Sequence, residues 1–307
     1  MPELTMEEFK TMKRQQEQIA MNMLDKQTAA VMQDEAQFKQ LLDLLARHVA
    51  SSVSNTILVQ AQRPDATAVA SMDEWNKRQI PVPKDANGYY PKGIYQIAYN
   101  GQYAGPDGSV HAKFKVYKGF DSSQTADPEK AAAFWNERQP VNVFFDDPEK
   151  LRNLALVNAS PIKCLAYDPK ALIADEENIS DGVKYIPETK TVILRKIDRG
   201  TWFQQVATQI ALGMYHRVDG IEFTVKARMF EAAIVSYLVS CKMGLDTSMY
   251  HFNVTPLQQQ YNVQEFRQML EQTDEFARDL SHRVTSKLLA QNVPKSPKQP
   301  EPPVIGG

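Results

Sequence analysis

Residues 203–216 of the chain read FQQVATQIALGMYH. Apolar residues recur in this stretch at spacings of three and four, which is the period at which side chains share one face of an α-helix. The inward set consists of Phe203, Val206, Ile210 and Met214. Taken alone, the stretch predicts a buried amphipathic helix, and its further meaning depends on the sequence around it.

The same stretch has the spacing of a zinc-binding helix whose metal chemistry has been replaced. A His-Glu-x-x-His helix places two imidazoles on one face to bind Zn²⁺, and its glutamate serves as general base for the attacking water. These positions hold Thr208, Gln209 and Leu212, none of which can bind zinc or accept a proton at neutral pH. We therefore expect no enzyme activity and no cofactor. An active zinc peptidase would need at least three protein ligands and a base.

Composition predicts a soluble globular protein. The chain has 307 residues, 43% hydrophobic and 23% charged, which suffices for two domains of ordinary size. Its apolar runs are shorter than the ~18 residues of a membrane span, and the polar start MPELTMEEFK does not resemble a signal peptide. We therefore expect a cytoplasmic protein without a membrane partner. Its two cysteines, Cys164 and Cys241, are expected to be reduced core residues.

The charge distribution limits nucleic-acid binding to one part of the chain. A net charge of -2 argues against a general polyanion binder, because non-specific affinity comes mainly from Lys and Arg that neutralise phosphates. Residues 77–118 differ, with seven basic and two acidic residues and six tyrosines. Cations interleaved with aromatic rings are typical of surfaces that bind single-stranded nucleic acid. A solvated β-sheet whose tyrosines pack across strands explains this pattern equally well.

The first part of the chain predicts mainly helices. Residues 1–35 form a polar helix with a thin apolar stripe, and a helix with a stronger apolar face follows. A short helix begins at Asn55, and another carries Trp75 behind a cap at Ser71 or Asp73.

Strands are predicted in three places. GIYQIAYNGQY and VHAKFKVYKGF alternate in polarity around a turn at residues 105–108, which indicates a hairpin. IKCLAYD, residues 162–168, predicts a buried strand. DGVKYIPETKTVILRKI, residues 181–197, predicts a second hairpin directly before the zinc-like helix. One long or two short helices follow Pro256, and the Pro-rich residues 291–307 predict a disordered tail.

Several motifs of the first half occur together in one order: NTILV at residues 55–59, QRPDAT at 62–67, Trp75 followed by a basic stretch, and FDSSQT at 120–125. Together they resemble the N-terminal single-stranded-DNA-binding domain of ArdC-type antirestriction proteins. The resemblance implies such a domain, of α+β fold, at residues 36–125. The residues expected to contact DNA are Asn55, Gln62, Arg63, Trp75, Lys77, Arg78, Lys84 and Lys92.

The second half also follows a recognisable order. A hairpin, the zinc-like helix and a further helix with Glu231-Ala232-Ala233 succeed one another. This order resembles the peptidase domain of ArdC-like proteins and LtrC-like proteins of conjugative elements, where the last helix carries Glu-Ala-Glu. The resemblance implies a zincin-like, mostly helical domain with a small sheet at residues 126–290. Its vestigial metal positions are Thr208, Gln209, Leu212 and Ala233.

His216 and Glu231 are two polar residues of the second half that do not occupy the predicted metal positions. His216 falls at the end of the zinc-like frame, and a single helical histidine is expected to be a packed or solvated residue. Glu231 has two interpretations. It is either a carboxylate that acts in a remodelled pocket or a capped carboxylate that faces solvent.

We expect an α+β protein with a polar N-terminal helix, an ArdC-like domain and a zincin-like domain that lacks its ligands. The expected function is that of a non-catalytic single-stranded-DNA-binding accessory protein of a plasmid, phage or other mobile element, serving antirestriction or conjugation. The alternative is a protein-interaction module that has lost both DNA binding and peptidase activity. The expected partners are single-stranded DNA and a protein bound through the zincin-like domain or the N-terminal helix.

Overall fold

The computed structural model describes residues 5–104, 108–136, 148–166, 182–195 and 201–291. The described helices are α1 (Met6–Val31), α2 (Glu35–Ala46), α3 (Val53–Gln62), α4 (Met72–Lys77), α5 (Pro128–Asn136), α6 (Pro148–Ala159), α7 (Trp202–Asp219), α8 (Val225–Lys242), α9 (Leu257–Gln260) and α10 (Val263–Gln291). The described strands are β1 (Val69–Ser71), β2 (Ile94–Ala104), β3 (Val110–Asp121), β4 (Lys163–Ala166), β5 (Val183–Ile186) and β6 (Thr191–Leu194). This is the α+β architecture that the sequence predicted.

The described strands form two small sheets. The first has the order β1-β3-β2, and both of its pairings are antiparallel. The second has the order β4-β6-β5, in which β4 runs parallel and β5 antiparallel to β6. The hairpin predicted directly before the zinc-like helix is therefore confirmed as β5 and β6, and β5 lies at one edge of its sheet.

Helix starts follow from side chains that satisfy the free N–H groups of the first turn. Ser71 caps α4, and Glu74 completes a capping box. The helix predicted to begin at Asn55 starts slightly earlier, because the hydroxyl of Ser52 accepts the N–H of Asn55 at 3.2 Å. At the other end of the chain, the region after Pro256 contains one long helix, α10, preceded by the short helix α9.

One apolar core joins the two halves of the chain. Phe38 of α2 is fully buried, and its ring centroid lies 5.2 Å from that of Phe252, 5.8 Å from that of Phe230 and 6.2 Å from that of Phe266. The same cluster includes the buried face of α1, which packs against α3 and α10. The N-terminal helix therefore folds back onto the chain, whereas the predicted domain boundaries remain predictions.

Helix α7 packs against α8 and also against strands β5 and β6 of the second sheet. Gly213 allows the close approach of α7 to that sheet. A Cβ atom at this position would lie 2.7 Å from Cγ1 of Ile162 and 3.0 Å from the ring of Tyr185. Contacts this short are not tolerated in a packed core. The glycine therefore sets the distance between the helix and the strands.

The exposure of one strand in the second half differs from the sequence prediction. The strand expected to be buried is β4, and most of its residues are exposed. Only Ile162, just before the strand, is buried, because helix α7 packs against β5 and β6 and not against β4. Cys164 and Cys241 are free and partly buried against the main core.

Some predictions fall outside the described residues. They concern most of the turn at residues 105–108, the end of the segment at 162–168 and nearly all of the C-terminal tail at 291–307. None of the described helices combines the length and the apolar run that a membrane span requires.

Candidate nucleic-acid interface and vestigial metal positions

Two of the family-like motifs meet each other in the fold. Asp121 is buried, and its Oδ1 accepts the N–H of Thr67 at 2.8 Å and that of Ala68 at 3.1 Å. Its Oδ2 accepts the N–H of Ser123 at 3.0 Å. The guanidinium of Arg63 donates to the Ser123 hydroxyl at 2.9 Å. These contacts tie the end of α3 to the end of β3, so the motifs stabilise the first sheet.

Asn55 and Trp75 are buried, which corrects their assignment as surface residues that meet DNA. Asn55 is 2% exposed, and its amide pairs with the Ile97 backbone: Oδ1 accepts the N–H at 2.8 Å and Nδ2 donates to the carbonyl at 3.0 Å. Trp75 is fully buried, and its Nε1 donates to the carbonyl of Phe120 at 2.9 Å. Buried polar groups need such partners. Both residues therefore hold helices against the first sheet.

Gln62 makes a similar link. Its Oε1 accepts the N–H of Tyr95 at 2.9 Å, and its Nε2 donates to the carbonyls of Leu58 at 2.8 Å and Tyr95 at 3.2 Å. Arg63 and Gln62 are both half-buried. The side-chain amide of Gln62 is therefore engaged at both its oxygen and its nitrogen by the protein itself.

The remaining predicted residues lie at the surface of the first half. Lys77, Lys84 and Lys92 are exposed, and Arg78 is half-buried with its guanidinium donating to the Glu74 carbonyl at 2.9 Å. Lys77 and Arg78 stand together at the end of α4. Lys84 and Lys92 belong to the segment that leads into β2.

The segment that contains Lys84 and leads into β2 forms one side of an open cleft of about 390 Å³, here named the Lys84 cleft. Its lining residues are Pro83, Lys84, Asp85, Tyr89, Tyr90, Pro91, Ser123, Gln124 and Thr125. Nζ of Lys84 lies 4.9 Å from the centroid of the Tyr90 ring. Gln124 donates to the Lys92 carbonyl at 3.0 Å, which places the Lys92 backbone at the rim. The signature at residues 120–125 therefore supplies the opposite wall.

The cleft presents cations and flat aromatic faces together. Tyr89 is 59% exposed and Tyr90 is 47% exposed. The carboxylate of Asp85 accepts the N–H groups of Asn87 and Tyr89, both at 2.9 Å, so its charge is engaged by its own loop. Such a surface can stack bases and neutralise phosphates. The sequence prediction missed the two tyrosines as site residues, although they lie in the cationic tract that it singled out.

The four positions that the sequence predicts to be vestigial metal positions lie on the neighbouring helices α7 and α8. Leu212 is fully buried and Ala233 is partly buried, and neither side chain carries a lone pair. The Thr208 hydroxyl donates to the Gln204 carbonyl at 2.9 Å within its own helix. The residues at these positions do not fit a metal ion. In the described ranges, no group of three or more His, Cys, Asp or Glu could hold one.

Gln209, at the position of the general base, contacts the sheet. Its Oε1 accepts the N–H of Tyr185 on the edge strand β5 at 2.8 Å. The Tyr185 hydroxyl lies 2.8 Å from Nδ1 of His216, and the His216 ring stacks on Phe223 with centroids 4.5 Å apart. The lone histidine is therefore a packed residue, and the amide of Gln209 fastens α7 to the strand edge.

Glu231 does not face solvent, which corrects one of its two interpretations. It is 1% exposed, and its Oε1 accepts from Arg228 at 2.9 Å and from the Tyr261 hydroxyl at 3.3 Å. Arg228 also binds both carboxylate oxygens of Asp219, at 2.6 and 2.9 Å. Burial and the adjacent Glu231 raise the pKa of Tyr261 to about 12. The carboxylate therefore belongs to a closed network in which its acceptor Oε1 is engaged.

The chain is similar to solved structures of the antirestriction protein ArdC from plasmid R388. The Mn(II)-bound structure has a TM-score of 0.52 and 12% identity, with 86% of this chain and 97% of that chain covered. For the metal-free structure the values are 0.47 and 11%, with 78% and 86% covered. The likeness to the Mn(II)-bound structure shows that the chain has an ArdC-type fold. No protein-family model matches the chain, and curated proteins gave no match.

Proposed function

We propose that this chain is a non-catalytic, single-stranded-DNA-binding accessory protein of a mobile element such as a plasmid, acting in antirestriction or conjugation. The observation that carries the proposal is the Lys84 cleft, where a cation lies over an exposed tyrosine ring. The ArdC-type fold supports it, because the similar solved protein is a plasmid antirestriction protein. The cleft is a local cationic and aromatic surface on a chain with little net charge.

The absence of catalysis is part of the same proposal. The similar ArdC structure is described as Mn(II)-bound. In this chain, Leu212 and Ala233 offer no metal ligand, and Gln209 cannot take a proton at neutral pH. No step of hydrolysis can be assigned to these residues. The second half then serves as a scaffold that shares its core with α1, α2 and α3.

Fluorescence anisotropy with a labelled single-stranded oligonucleotide, at low and moderate salt, tests DNA binding. We expect measurable affinity at low salt that falls as salt rises, because released counterions drive the binding. Lys84→Gln and Lys92→Gln should each reduce the logarithmic salt slope by about one unit if they contact phosphate. Lys287→Gln, at an exposed site on α10, is the matched control and should leave the slope unchanged. Wild-type protein without affinity at low salt would overturn the proposal.

A protein-interaction module is the second candidate, and the N-terminal half of α1 favours it. Met6 is 69% exposed, Phe9 44% and Ile19 49%. Met6 and Phe9 are three residues apart, so they share one face of α1 and form a small exposed apolar patch of the kind that binds proteins. A pull-down from nuclease-treated lysate, with Phe9→Glu and Ile19→Glu as a paired variant, separates the candidates. A partner that survives nuclease and is lost in the variant supports this candidate. Partners that vanish with nuclease support DNA binding.

A further inference from the structure

The hairpin of β2 and β3 has one face that is buried at its base and exposed at its outer end. In the register, Ile97 opposes Val116, and Tyr99 opposes Phe114. Directly opposed residues share one face of an antiparallel pair, and so do residues two apart along a strand. Ile97 and Val116 are 8% and 9% exposed and belong to the main core, whereas Tyr99 is 60% exposed. The same face therefore leaves the core toward the hairpin tip, residues 99–104 and 108–115.

The exposed face of the tip is aromatic. The ring centroids of Tyr99 and Phe114 lie 6.3 Å apart at 79°, and Phe114 is 38% exposed. Val110 lies on the same side of β3 and is 65% exposed. The register shifts between Tyr99 and Gln102, which adds twist beyond this pair. A pair of exposed aromatic rings in contact is the kind of apolar surface that marks a binding site.

The opposite face of the tip is cationic. Lys113 and Lys115 flank Phe114 in sequence, are both exposed, and point away from the aromatic pair because side chains alternate along a strand. Tyr103, on this second face, is 54% exposed. Strands β2 and β3 contain no acidic residue before Asp121. A ligand that fits both faces offers flat apolar surfaces and distributed negative charge.

We propose that the hairpin tip is a second contact for single-stranded DNA, separate from the Lys84 cleft. Bases of the DNA stack on Tyr99 and Phe114 on one face of the hairpin, while Lys113 and Lys115 neutralise its phosphates on the other face. A single strand fits better than a duplex, because duplex bases already stack on one another and hide their faces. This inference rests on the proposed function and adds the site at which bases are held.

Two matched substitution pairs test stacking in the full chain. The first pair combines Tyr99→Leu with Phe114→Leu, which keeps apolar bulk and removes the rings. The second combines Tyr99→Phe with Phe114→Tyr, which keeps both rings. The probes are labelled oligothymidylate and an abasic strand of the same length, which carries the phosphates without bases. Thermal midpoints that match wild type for both variants establish that the fold is intact, since these side chains are exposed.

We expect the leucine pair to weaken oligothymidylate binding by roughly 10-fold and to leave abasic-strand binding unchanged. The ring-preserving pair should bind both probes like wild type. The double variant Lys113→Gln with Lys115→Gln should bind both probes more weakly and should reduce the logarithmic salt slope by about two units.

Several outcomes would overturn the inference. Leucine variants that bind oligothymidylate like wild type would indicate an apolar protein-binding tip. Equal loss for both probes would show that the rings do not act on bases. Duplex DNA bound as tightly as the single strand would also contradict it. Wild-type binding that depends on Lys84 and Lys92 but not on the tip would leave the proposed function standing, whereas no wild-type binding at low salt would remove both.

Discussion

At the scale of single residues, Lys242 near the end of α8 is a buried cation that joins distant parts of the chain. Its Nζ lies 2.6 Å from Nε2 of His48, which belongs to the segment after α2. Burial lowers the pKa of Lys242 to about 8, Asp274 opposes this effect, and Arg278 adds to it. The folded state therefore binds the proton of Lys242 less tightly than the unfolded chain does.

This lysine makes stability depend on pH. Because its folded pKa lies below the ordinary value of 10.5, the unfolded chain binds more protons between the two values, and stability rises with pH there. We expect the free energy of unfolding to increase by about 1 kcal/mol from about pH 8 to about pH 9 through this residue. Lys242→Met should lack that increase. Urea titrations of both proteins at each pH measure it, and parallel pH profiles would contradict the assignment.

Arg228 neutralises two carboxylates that the fold removes from water. The side chain of Glu231 is 2% exposed and that of Asp219 is 12% exposed. The guanidinium of Arg228 also lies 5.2 Å from the centroid of the Tyr215 ring. Replacing one member of a buried ion network leaves the others uncompensated.

We therefore expect Arg228→Met to lower the free energy of unfolding by about 3–5 kcal/mol. The matched control is Arg283→Met, which breaks the pair with Asp279 on the surface of α10, where both side chains are more than 40% exposed at 47% and 44%. That change should cost under about 1 kcal/mol. Equal effects in denaturant titrations would show that the Arg228 network is not buried in solution.

At the scale of elements, α7 and α8 are the two helices that the sequence predicts to correspond to the ligand-bearing helices of a zincin. The helices pack against each other, and the predicted vestigial positions Leu212 and Ala233 lie one on each of them. The spacing of four residues between Thr208 and Leu212 still places both on one helical face. We propose that the scaffold and the ligand chemistry are separable properties of this pair of helices.

This separation predicts a gain of metal binding. Thr208→His, Gln209→Glu, Leu212→His and Ala233→Glu together should bind about one equivalent of Zn²⁺ or Mn²⁺ after dialysis, because three ligands then converge. Elemental analysis measures the metal. The control carries only the two histidines and should retain far less. A quadruple variant with native circular dichroism but no metal would contradict the proposed zincin-like placement of α8.

At the scale of the whole molecule, the two sequence-defined halves share one core. The ring of Phe38 packs among aromatic rings that follow it by about two hundred residues in the chain. The Tyr237 hydroxyl donates to Asp43 at 2.7 Å, and Lys39 donates to the Tyr250 carbonyl at 2.9 Å. Residues 36–125 taken alone would expose this face to water at a large cost.

We therefore expect the full chain to unfold in one cooperative transition. Fluorescence and far-ultraviolet circular dichroism should give coincident denaturation curves, because loss of either half removes the core of the other. Two separated transitions would show that the predicted domains fold independently. Tryptophan fluorescence is a suitable probe, since Trp75 is fully buried in the first half and Trp202 lies at the start of α7.

Much of the secondary structure could be predicted because helix caps and hydrophobic periods are local properties. The Ser71 cap of α4 and the β5 and β6 hairpin both follow from short stretches of sequence. The exposure of β4 could not be predicted, because it depends on which strands of the sheet a distant helix covers. The candidate DNA-binding residues were predicted only in part. Lys84 is exposed beside the ring of Tyr90, whereas Trp75 lies in the core.

The sequence by itself determined that the zinc-like helix carries Thr208, Gln209 and Leu212, because ligand chemistry depends on which atoms a side chain possesses. Only the tertiary structure decided that Glu231 is buried and that Tyr99 and Phe114 are exposed. An isolated carboxylate or ring has the same character wherever it stands in the chain. Its exposure depends on which distant segments pack over it, and this is decided when the core closes.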